Sequence, residues 1–177
     1  MRRGYGVRMK RRLRIFALAA VCAGVVVLSG CAPADEPTPT PTAAFASDEE
    51  AFAAAEETYR AYVDALNEAR DGSDVDPLAF LVGDALTAGI DGEKLIEDRG
   101  VSIAGRTDVI SFIGTTFDSQ VISSLACIDV SDTRVTASDG SDQTPTTRAE
   151  QITFEIEILS VDGLLKIRSS EVVKDSC

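Results

Sequence analysis

The chain has 177 residues, of which 45% are apolar and 26% charged, a composition that excludes disorder along its whole length. Residues 1–30 carry seven of the 17 basic residues and none of the 29 acidic ones, so the remainder holds ten basic against 29 acidic residues, a net charge of −19. That excess argues against a nucleic-acid partner, whose affinity comes from neutralised phosphates; the absence of histidine excludes His-based triads, acid–base pairs and metal ligands.

The amino end places seven positive charges ahead of a 14-residue apolar run, Ile15 to Leu28. This is the pattern of a secretory signal over residues 1–30, too short for a helix that must cross about 30 Å of hydrocarbon. The run closes on Leu28-Ser29-Gly30-Cys31, which resembles the lipobox of bacterial lipoproteins: an aliphatic residue, two small ones, then the cysteine whose thiol accepts a diacylglycerol. The resemblance implies lipidation at Cys31 and a protein anchored on the outer face of the cytoplasmic membrane. Arg11-Arg12 invites a twin-arginine route, but Arg14 stands where a hydrophobic residue belongs, favouring general secretion.

After the lipid site, residues 31–46 read as a tether. Pro33, Pro37, Pro39 and Pro41 alternate with threonines, favouring extended polyproline II. The stretch is either a plain solvated spacer or an O-glycosylated stalk. Of four cysteines, Cys22 leaves with the signal and Cys31 takes the lipid. Cys127 and Cys177 remain, and an exported protein most simply pairs them in a disulfide. A free nucleophilic cysteine is the alternative, and no histidine exists to activate it.

Residues 47–177 read as one domain. Ser47 and Glu50 form a capping box, and Phe52, Ala55, Tyr59, Tyr62, Val63 and Leu66 then recur at helical spacing. Glu56, Glu57, Arg60 and Asp64 fall mostly off that stripe and read as a solvated face. Asp76-Pro77 opens a second helical region, running from about Asp84 to Arg99 with a break expected near Asp91-Gly92 and a stop at Gly100. Val109, Ile110, Phe112 and Ile113 predict a strand covered on both faces. Val121–Val130 is a second strand, extended past a bend by Arg134–Ala137. Ile152, Phe154, Ile156 and Ile158 alternate with polar residues, and Asp162-Gly163 turns that strand back on Leu164–Val173.

Two helices followed by four antiparallel strands predict an α+β domain, its N-terminal helices packed on a curved four-stranded sheet. The arrangement resembles the NTF2-like cone. More specifically it resembles actinobacterial lipoproteins with an uncharacterised domain of that kind, on the strength of Ala61-Tyr62-Val63-Asp64-Ala65-Leu66-Asn67, Cys127-Ile128-Asp129-Val130-Ser131 and the terminal Cys177. The resemblance implies a pocket between helix and sheet, for which Phe52, Tyr59 and Tyr62 are the candidate lining residues, or else a filled core with both hydroxyls at its rim. Asp129 is a weak candidate base, and no acid–base pair is recognisable. Asp-Gly-Ser-Asp at 71–74 and 139–142 reads as turn chemistry rather than a calcium loop. The expectation is a membrane-anchored binding or interaction module without metal, cofactor or catalytic residues. Its partner would be a hydrophobic small molecule or an envelope protein. An enzyme of the NTF2-like superfamily and a structural envelope protein are the alternatives.

Overall fold

The structure, a computed structural model, describes residues 45–118 and 120–177; the expected signal, Cys31 and the tether through residue 44 lie outside them. None of the described helices is long and apolar enough to cross a membrane. Phe45, in the stretch read as tether, packs edge-on against Phe117 with ring centroids 5.8 Å apart.

Helix α1 spans Asp48–Arg70. Ser47 Oγ accepts the Glu50 N–H at 3.2 Å, while the Glu50 carboxylate accepts from Ala46 at 2.8 Å, one residue before the N–H a reciprocal box would use. Three acidic residues in its first turn and Arg70 in its last both suit the helix dipole. Its buried stripe is narrow: Ala51, Ala55, Tyr59 and Val63 face the core, with Phe52, Tyr62 and Leu66 half-buried beside them. Asp76 Oδ1 then caps a short 3-10 helix, Pro77–Phe80, by accepting the Leu78 N–H at 2.9 Å.

Helix α2 runs unbroken over Gly83–Arg99, through the expected break at Asp91-Gly92, and ends at Gly100 with φ 60°. Its two interior glycines differ. A Cβ at Gly89 would lie 2.7 Å from Leu78 Cδ2, whereas at Gly92 it would meet nothing within 4 Å. Gly89 therefore lets α2 seat on the 3-10 helix, and that packing offsets the roughly 1 kcal/mol each glycine costs a helix.

Six strands follow: β1 Val101–Ala104, β2 Asp108–Phe117, β3 Val121–Asp129, β4 Arg134–Ala137, β5 Gln151–Val161 and β6 Leu164–Lys174. The main sheet is antiparallel in the order β2-β3-β5-β6. Helices packed on a four-stranded antiparallel sheet give the expected α+β class. Arg134–Ala137, however, does not extend β3: it pairs with β1 in a separate two-stranded sheet, Val101 opposite Ala137 and Ala104 opposite Arg134.

The inner face of the main sheet carries Ile122, Ile156, Ile158 and Ile167, all essentially inaccessible, with Ile158 opposite both Ile122 and Ile167. Burying each contributes about 1.5–3 kcal/mol. The β5–β6 turn places Asp162 at φ 52° and Gly163 at φ 81°, both left-handed as a type I′ turn requires. Strand β2 departs from expectation. It is an edge strand covered by α1 on one face, and a register shift between Val109 and Ser111 bulges it, leaving Ile110 49% and Ile113 59% exposed. Cys127 and Cys177 are bridged, their Cα atoms 5.8 Å apart, and Thr153 Oγ1 holds the tail by donating to the Ser176 carbonyl at 2.7 Å.

Candidate functional site: a cleft between α1, α2 and β1

The C-terminal turns of α1, the 3-10 helix, α2 and β1 enclose an open cleft of ≈ 520 Å³. On α1, Tyr62, Leu66 and Arg70 recur every fourth residue and stand on its wall. From α2 the facing positions are Ala88, Gly89, Gly92, Glu93 and Ile96, again one helical face. Part of that space exists because Gly92 has no side chain, a Cβ there meeting nothing within 4 Å, whereas the Gly89 position is filled by Leu78 and Leu81. Leu66, Leu78, Ile96 and Ile103 make the lining largely apolar. Glu93 stands exposed on the α2 side. A smaller cavity of ≈ 210 Å³ shares Tyr62 and Gly89 and reaches Ile167 on the sheet. A third, ≈ 390 Å³, lies by Phe45, Phe117 and Arg168.

Arg70 is held from below. Its Nη1 donates to Thr107 Oγ1 at 2.9 Å and to Asn67 Oδ1 at 3.4 Å. Asn67, 2% exposed, donates to the Thr107 carbonyl and accepts the Thr107 N–H, both at 2.9 Å. Its amide thus supplies the pair of bonds a neighbouring strand would give. Burial lowers the pKa of Arg70, partly offset by Tyr62 nearby. Among the described residues the ion pairs are Arg60–Glu56, Lys94–Asp91 and Arg168–Glu157; Arg70 has no carboxylate partner.

Of the three expected lining residues, Tyr62 alone stands on the cleft wall. Tyr59 is 3% exposed, between Phe112 and Tyr62 with ring centroids 5.7 and 6.1 Å away, and burial raises its phenol pKa well above the ordinary value. Phe52 lies over Gly114, where an added Cβ would overlap its ring. Burial also raises the pKa of Tyr62, with a smaller opposing effect from Arg70. Asn67, quoted above only as part of a motif, and Arg70 were not singled out as site residues, although they continue the stripe at four residues past Val63 and Leu66.

Other groups serve the frame. Arg60, expected on a solvated face, donates to the Val109 carbonyl at 3.0 Å and ties α1 to the bulged edge. Asp129 stays below the usual carboxylate range because Ser131, through its side chain and N–H, and Gln151 donate to it; a carboxylate so held is a poor base. Lys166 Nζ donates to the Ala79 carbonyl. In the second Asp-Gly-Ser-Asp, Asp139 accepts the Ser141 N–H at 2.9 Å and Asp142 the Thr144 N–H at 2.8 Å, both turn-closing bonds.

The sequence matches no protein-family model and no curated protein. Among solved structures, the domain is similar to Aln2 from a Streptomyces species, at 16% identity over 71% of this chain and 91% of that one, with a TM-score of 0.44. It is also similar to the intermembrane space region of the chloroplast protein ARC6, at 11% identity over 66% of this chain and 94% of that one, with a TM-score of 0.41.

Proposed function

We propose that this chain is a lipid-anchored extracytoplasmic binding protein, whose NTF2-like domain takes a small, largely apolar molecule into the cleft between α1, α2 and β1. The observation that carries the reading is the cleft itself. Its ≈ 520 Å³ falls within the usual range of small-molecule sites, about 300–1,000 Å³, and its lining is mostly aliphatic with a few polar groups. Tyr62, held neutral by burial, suits donating a hydrogen bond better than abstracting a proton. The anchor rests on the signal pattern and on Cys31.

Binding is tested by native mass spectrometry of the protein purified from its own membrane. A small-molecule adduct should accompany the parent and be missing from Gly92→Leu, which extends a side chain into the cleft. Identical spectra for the two proteins would overturn the binding reading. For the anchor, Cys31→Ser should abolish incorporation of radiolabelled lipid and leave the precursor uncleaved. Processing and retention like the parent would count against it.

A further inference from the structure

The cleft wall carries a charge that the protein leaves unanswered. Arg70 is half-buried at the end of α1, and among the described residues no carboxylate pairs with it, in a chain whose exported part holds 29 acidic against ten basic residues. A guanidinium has five N–H donors in a planar fork. Only Nη1 is engaged, by Thr107 and Asn67, so among the described residues Nε and Nη2 make no hydrogen bond. Those two nitrogens form the edge that binds a carboxylate bidentately. Removing a cation from water without a counter-ion costs stability, and the Asn67–Thr107 bonds fix Arg70 at that cost. Glu93 lies on the α2 side of the cleft, outside ion-pair distance of Arg70, so the positive end of the site is the α1 end.

We propose that the ligand is an apolar molecule with a single carboxylate head, the head on the open edge of Arg70 and the hydrocarbon body against Leu66, Leu78 and Ile96. The inference rests on the binding reading above and narrows it to an amphiphilic anion. Tyr62, beside Arg70 and neutral, supplies a further donor for the same head. The cleft opens at the far end of α1 from Phe45, where the described chain begins. Tyr62, the first cleft residue on α1, lies 14 residues past Asp48, about 21 Å at 1.5 Å per residue, so the site stands clear of the start of the described chain.

The test uses the full chain in phosphatidylcholine nanodiscs, titrated calorimetrically with 2-naphthoate and with its uncharged isostere 2-naphthamide, empty discs being subtracted. The parent should bind naphthoate at least about tenfold more tightly, as a charge-assisted bidentate pair implies. Arg70→Met should erase that preference and leave naphthamide binding within about twofold, while Arg70→Lys should keep part of it. Thr107→Val, which cuts the same tie without touching the charge, should keep the preference. Gly92→Leu should weaken both compounds. Equal affinities in the parent, or a preference that survives Arg70→Met, would overturn the carboxylate inference and leave the cleft as a binding site. Loss of the preference in Thr107→Val as well would assign it to the shape of the wall and overturn the inference too. If the parent bound neither compound, or Gly92→Leu bound both undiminished, the binding reading underneath would fall instead.

Discussion

Ser124 shows how closely α1 meets the sheet. It is fully buried on the inner face of β3, opposite Gly114 and Ile156, and among the described residues its hydroxyl has no hydrogen-bond partner. Its partner Gly114 is small for a reason, since it receives the Phe52 ring of α1, and Ala51, Ala55 and Ala126 are likewise fully buried. A hydroxyl stranded there costs its lost hydration, about 1–3 kcal/mol. Ser124→Ala keeps the volume nearly constant, so urea denaturation should find the variant more stable by about 1 kcal/mol. A comparable loss would mean that the hydroxyl has a partner. Periodicity places Ser124 on its strand, but nothing in local sequence says whether a buried hydroxyl is answered. The same holds for Arg70, whose spacing puts it on the α1 stripe, while its lack of a carboxylate partner among the described residues is a fact of three dimensions.

Helix α2 shows two glycines with one propensity and two roles. Gly89 stands where Leu78 and Leu81 crowd any Cβ, and Gly92 faces open space in the cleft. The same substitution should therefore change stability in opposite directions. Gly92→Ala should stabilise by about 1 kcal/mol through helix propensity. Gly89→Ala should destabilise by about 1 kcal/mol, because the ends of the Leu78 and Leu81 side chains must turn aside to admit the methyl. Thermal unfolding of the two single variants checks both, and matching signs would refute this account of the packing. The glycine pair also explains the expected break in α2: propensity alone lowers the helix at both positions, and only contact with the 3-10 helix says which one is needed. Strand β2 fails for the converse reason. Its run Val109–Ile113 is apolar enough for a strand buried on both faces, yet α1 covers only one of them and Ile110 and Ile113 stand exposed on the other.

Across the whole domain, the bridge between Cys127 and Cys177 joins the second strand of the main sheet to the chain end, 50 residues apart. Closing a loop of that length restricts the unfolded chain, and losing it should cost about 2–4 kcal/mol. Cys127→Ala and Cys177→Ser should each lower the urea midpoint by a similar amount. Thiol labelling of the denatured, unreduced domain should find no free thiol, and two reactive thiols would contradict the pairing. This bridge was legible from sequence because it needed only counting: a chain read as exported, with two cysteines to spare. The two main helices, the β5 alternation and the Asp162-Gly163 turn were legible too, because each is set by bonds and periodicities within a few residues. The pairing of β1 with β4, the exposure of β2 and the cleft were not. They depend on which faces meet, and two helical faces of ordinary pattern leave a cavity only when their small residues come into register across a gap. The sequence determined the elements, the covalent tie and the charge; the tertiary structure alone decided that Gly89 packs under Leu78 while Gly92 stands on an open cleft with Tyr62 and Arg70.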